Sequence, residues 1–193
     1  MLRQLQIPPQ TITPNPMKHI KSLRSKLAAF TLIELLVVIS IIAVLASLAL
    51  PAVTGALTKG QITQTTSNYR QLYILTQSAS LDAQQNGLTN AGFPGDCGGV
   101  GTWYTGLLAY TTNTTLNNLL TVKGSTNNTV VQNVSSSAAD TTIFINTANL
   151  AGSGLQNVAP YQLKGAAFVT VGGSAISVVG TNFNTNQGTF ATP

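Results

Sequence analysis

The chain has 193 residues, enough for one domain plus a long N-terminal element, and a formal charge of +5. The whole excess precedes Phe30, where Arg3, Lys18, Lys21, Arg24 and Lys26 face no acid; from Phe30 on, Lys59, Arg70, Lys123 and Lys164 balance Glu34, Asp82, Asp96 and Asp140. This excludes a nucleic-acid footprint, which would need a basic face on the folded region, and the single cysteine, Cys97, excludes an intramolecular disulfide.

Residues 1–16 carry four prolines and no hydrophobic period, so they are expected to be disordered and outside any fold. Met17 opens a compact basic leader, M-K-H-I-K-S-L-R-S-K-L-A-A, and both Met1 and Met17 stand as translation starts. The only histidine, His19, lies in this leader. A chain lacking the leader has no imidazole for general base work or metal binding.

Phe30 to Leu50, F-T-L-I-E-L-L-V-V-I-S-I-I-A-V-L-A-S-L-A-L, is apolar apart from Glu34 and its few hydroxyls. As a helix it measures about 31 Å, enough to cross a hydrocarbon core of about 30 Å. Basic residues before the span and none within it set the orientation: residues 1–29 cytoplasmic, everything after Leu50 translocated. In an ordinary secretory signal peptide the apolar run is shorter than this one and precedes the cleavage site.

The unit A-A-F-T-L-I-E-L-L-V-V-I with its basic flank resembles the N-terminus of the type IV pilin and type II secretion pseudopilin superfamily. The resemblance implies a cut between Ala29 and Phe30 by a prepilin peptidase, N-methylation of Phe30, and polymerisation through the helix. The family usually has Gly before the cut; Ala29 is the smallest alternative, and cleavage is still expected. Glu34 is implied as the assembly residue, pairing with the Phe30 amine of an adjacent subunit. A carboxylate in a bilayer costs a few kcal/mol (about 2.5–3.5 on insertion scales) and needs such an offset. The alternative is an interfacial Glu reaching water.

Pro51 follows the span. Proline removes a backbone donor and crowds the preceding turn, so a bend is expected there. The resemblance likewise implies a kink that does not end the helix. Residues 51–86 continue it, closed by Asn86-Gly87. At 100° per residue, Leu57, Ile62, Tyr69, Leu72, Tyr73, Leu75, Ala79 and Ala83 share one half of the wheel, and Lys59, Arg70, Gln77 and Asp82 the other. Ile74 and Leu81 fall on the polar half, as scattered surface apolars or as a contact with a neighbouring subunit. Gly55 and Gly60 each weaken a helix by about 1 kcal/mol relative to Ala, so loosening is expected between Pro51 and Gly60.

Residues 87–193 form the globular region. Residues 87–101 read as a Gly-rich loop without a phosphate-binding pattern. Thr102–Leu120 reads as one or two short helices, weakest at Thr111–Thr115. Short strands are expected at Val130–Val134 and Thr141–Thr147. A hairpin is expected from Ala166–Val171 and Ser174–Val179 across Gly172-Gly173. Connections of this length make the sheet antiparallel. Residues 181–193 are expected to be irregular. The fold class is therefore α+β: a long N-terminal helix, membrane-spanning in its first half and amphipathic in its second, against a small antiparallel sheet. That is also the pilin-like architecture.

No catalytic constellation is present, so an enzyme is not expected. Nor is a cofactor. Major pseudopilins often bind Ca²⁺ in a C-terminal loop, which makes Asp96 and Asp140 weak candidates; one acid after residue 100 is a thin set for a hard cation. Asn113, Asn127 and Asn133 each start an N-x-[ST] match of the kind expected by chance in a chain this rich in Asn and Thr. The function implied is a pseudopilus subunit of a type II secretion system, in the bacterial inner membrane and then in a periplasmic pseudopilus or an extracellular filament. Its partners are the prepilin peptidase, identical or related pilin subunits, the inner membrane and a secretion or pilus assembly platform. No nucleic acid is expected for the mature domain. A type IV pilin for adhesion, motility or DNA uptake is the second reading, and a membrane-anchored periplasmic binding protein the third.

Overall fold

Helix α1, Leu32–Asn86, runs for 55 residues and contributes to both compact units of the chain, residues 1–44 and 45–193. The computed structural model describes residues 30–89, 91–125, 129–152, 154–180, 183 and 187–190. The leader with Ala29, and Asn127, lie outside the described residues.

In the first unit the described part of α1 is exposed all round, with Leu32 and Ile33 at 87% and 70%. An α-helix needs no partner for its backbone, so a uniformly apolar helix suits hydrocarbon and is poorly suited to water. It is the one candidate membrane-spanning helix among the described residues.

In the second unit α1 continues through Pro51, Gly55 and Gly60 without a break. The expected loosening does not interrupt it, and the Thr54 and Thr58 hydroxyls fold back to donate to the Pro51 and Thr54 carbonyls (3.1 and 3.0 Å). The buried face begins at Ile62 and passes through Tyr69, Leu72, Ala79 and Ala83. Leu57, expected on that face, is 61% exposed. It lies more than a turn before the first residue that the domain covers. Ile74 and Leu81 are exposed, at 54% and 55%.

Helices α2 (Val100–Leu107) and α3 (Asn113–Leu120) break apart where the Thr-rich stretch was expected to be weak. Thr112 caps α3, its hydroxyl accepting the Thr115 N–H (3.2 Å). Strands β1 (Thr129–Val131), β2 (Ile143–Thr147), β5 (Gly165–Thr170) and β6 (Ala175–Val179) form one antiparallel sheet in the order β1-β2-β5-β6. Between β2 and β5 lie a two-stranded ribbon, β3 (Leu150–Ala151) with β4 (Gly154–Leu155), and a 3₁₀ turn, Gln162–Lys164; neither was expected from sequence. The β5–β6 connection is a four-residue loop rather than a two-residue turn, with Gly173 at φ 83°.

Side chains alternate across β5. Ala167 and Val169 join Ile62, Leu72, Trp103, Phe144 and others in the larger core against α1. Ala166 and Phe168 face the other way, into a small cluster with Ile143, Leu150 and Val178. Gly165 is required where it stands: a Cβ there would lie 2.3 Å from the Val178 carbonyl oxygen and 2.7 Å from Ile62 Cδ1. Buried polar groups on α1 are satisfied across the core. Thr65 and Tyr161 hydroxyls meet at 2.8 Å, and the Trp103 indole N–H donates to the Thr76 hydroxyl at 2.9 Å. The C-terminal stretch, expected to be irregular, is anchored at 187–190: Thr189 bridges Thr142 in parallel, and Phe190 packs on the outer cluster.

Candidate assembly site

The site is built on the first turn of α1. Glu34 Oε2 accepts from both the Thr31 N–H and the Thr31 hydroxyl, each at 2.8 Å, and the Thr31 hydroxyl oxygen accepts the Glu34 N–H at 3.3 Å. This is a capping box: the helix start supplies donors that no preceding turn can satisfy, and the carboxylate three residues on folds back to take them. Sequence reading noted Thr31 only as a hydroxyl residue. The T-x-x-E spacing of Thr31 and Glu34 was the signal that assigns it a role.

Beside the carboxylate, Phe30, Ile33, Glu34, Val37 and Val38 line an open hollow of about 400 Å³. Phe30 is 79% exposed. The arrangement presents one negative charge, held against its own helix by Thr31, in an otherwise apolar surface. It offers an acceptor to a cation and apolar area to another helix. It offers no nucleophile and no base near a reacting group.

The calcium candidates are not brought together. Asp96 is engaged: its carboxylate accepts from the Ser135 hydroxyl and, at 2.8 Å, from the Ser136 N–H. These bonds pin the Gly-rich loop to the stretch after β1. Asp140 stands elsewhere, and its carbonyl oxygen, not its carboxylate, takes the Gly172 N–H (3.0 Å). Among the described residues no three of His, Cys, Asp and Glu converge. Cys97 is buried, and that burial pushes its thiol pKa up.

Partial burial works against the Asp96 charge, but the Ser135 and Ser136 donors outweigh it and hold the carboxyl below its ordinary 3.8. A depressed carboxyl stabilises the fold above its unfolded pKa and loses that contribution as pH falls through the folded value. Unfolding followed by circular dichroism should therefore show stability falling as pH drops below about 4. Asp96→Asn should flatten part of that acid slope, and an unchanged slope would mean the clamp adds nothing.

Residues 24–50 match the family model described as the prokaryotic N-terminal methylation motif. No curated protein matches the chain. No solved structure matches it either. A long apolar-then-amphipathic helix against a small antiparallel sheet is a pilin-like α+β fold, and fold and motif together match a structural, pilin-type protein. The chain carries a prepilin-type N-terminal methylation motif, consistent with the pilin and pseudopilin superfamily.

Proposed function

We infer that the chain is a filament subunit of the pseudopilus class, inserted in the bacterial inner membrane by α1, cleaved between Ala29 and Phe30, methylated on Phe30 and packed helix to helix. The observation that carries the reading is the lone carboxylate, Glu34, on an apolar helix start matched by the methylation motif. A partner must supply the opposite charge, and cleavage creates one at Phe30. Prepilin peptidase, further copies of the subunit and an assembly platform are the partners this requires. The leader faces the cytoplasm and residues 87–193 the other side, because the excess basic residues all precede the span. Pro51 is where a bend in α1 belongs.

A type II secretion pseudopilin is preferred to an adhesive or motile type IV pilin because the single cysteine leaves no disulfide to close a C-terminal loop. The thin set of calcium ligands favours the type IV pilin. Neighbouring genes separate the two: a secretin and secretion ATPase for the first, a retraction ATPase for the second.

Intact mass of protein sheared from cells should correspond to a chain starting at Phe30 with one added methyl. Protease added to spheroplasts should degrade residues 100–193. An uncut precursor in the sheared fraction, or protection of those residues, would overturn the processing and the orientation respectively.

A further inference from the structure

The charges of residues 45–193 are sorted along α1. Lys59 is on the helix. The Lys123 N–H donates to the Thr65 hydroxyl (3.2 Å), and Lys164 precedes Gly165, which lies against Ile62. Three cations thus gather at the Lys59–Thr65 level, with Arg70 further along. The acids lie further along, from the Tyr73 level to Asp82. Asp82 is on α1, Asp96 lies four residues after Gly92, which abuts Ser80, and Asp140 abuts Gly172, whose neighbour Gly173 lies against the Tyr73 ring. At 1.5 Å per residue, Ile62 to Asp82 is about 30 Å. Among the described residues none of these charges forms an ion pair.

The acidic stretch also holds a receptacle. Asp140, Thr141, Thr170, Ser174, Ile176 and Gln187 line a hollow of about 440 Å³. A carboxylate beside the side-chain oxygens of Thr141, Ser174 and Gln187 suits an ammonium group, which has three donors and no acceptor. The chain cannot fill the hollow with its own Lys164, because β5 separates the two by about 20 Å.

We propose that the Asp140 hollow receives the Lys164 side chain of a second copy, so that the acidic stretch of one domain docks on the basic end of the next. This rests on the filament reading and adds a contact outside the α1 start. The two patches differ, so the contact is heterologous and repeats without closing on itself. Rim charges of this kind fix register and exclude wrong pairings.

The test uses the full chain at matched membrane levels, reading sheared-filament yield. Asp140→Lys and Lys164→Glu should each lower yield about tenfold through like-charge contact, and the two together should restore it. Independently, Asp140→Cys with Lys164→Cys, in a Cys97→Ala background, should give a disulfide-linked ladder in filaments. Wild-type yield from either single variant, a swapped pair no better than the singles, or no ladder in filaments that do form would overturn the pairing and leave the filament reading standing. No filaments from the unaltered chain would overturn both.

Discussion

Glu34→Ala is expected to insert in the membrane at wild-type level and to yield almost no filament. Insertion loses nothing, because removing a carboxylate from an apolar helix eases its transfer into hydrocarbon. Assembly, on the pairing proposed above, loses the group that would neutralise each incoming Phe30 amine. Breaking one partner of a buried charge pair costs about 3–5 kcal/mol, or about 10²–10³-fold or more in the affinity of each subunit addition. Glu34→Gln keeps an acceptor without charge and should fall between. Thr31→Val tests the capping box: it removes the hydroxyl that gives Oε2 one of its two bonds, so the carboxylate remains but is less well placed. Its yield should drop less than that of Glu34→Ala. The measurement is sheared-filament mass at equal membrane content. Normal filaments from Glu34→Ala would reduce Glu34 to an interfacial charge.

Trp103→Ala is expected to be the most damaging substitution for the globular unit. The indole is 1% exposed, meets the Phe144 ring edge-on at 5.8 Å, and donates to the Thr76 hydroxyl on α1. It therefore ties α2, β2 and the helix together at one point. Truncating a buried aromatic to Ala costs about 3–5 kcal/mol, against a total of about 5–15 kcal/mol for a typical domain. The variant should be partly unfolded at growth temperature and sensitive to protease. Trp103→Phe keeps the ring contact, loses the bond to Thr76 and should be milder. Circular dichroism is the suitable probe, since Trp103 is the only tryptophan and its fluorescence goes with it. A Trp103→Ala melt within a few degrees of wild type would show that the site collapses around the loss.

The helix was legible because its signals agree: an unbroken apolar run, a 100° period after it, and Asn86-Gly87 at its end. The β5–β6 hairpin was legible for the same reason, two β-branched runs across glycines. What stayed hidden depended on contacts distant in sequence. Thr65, Thr76 and Asn68 read as polar and are buried, because Tyr161, Trp103 and the Asn118 carbonyl meet them from elsewhere in the fold. Leu57 read as core and is exposed, because periodicity says which way a residue points but not whether anything covers it. The ribbon β3–β4 is two residues a side, below what alternation can register. At the assembly site Glu34 was conspicuous as a charge among apolar residues. Its hydrogen bonds to Thr31 were local enough to have been read from spacing alone.

The placement of Gly165 against Ile62 also sets a schedule. Ile62 leaves the ribosome about a hundred residues before the strand that covers it, and synthesis at about 5–20 residues per second makes that interval about 5–20 seconds. Through it, Ile62 lacks the contact with Gly165 on a helix already free to form, since helix–coil relaxation takes about a microsecond. The nascent chain thus carries an apolar position at Ile62 long before that part of its cover exists. A ribosome stalled before residue 165 would leave Ile62 without that cover.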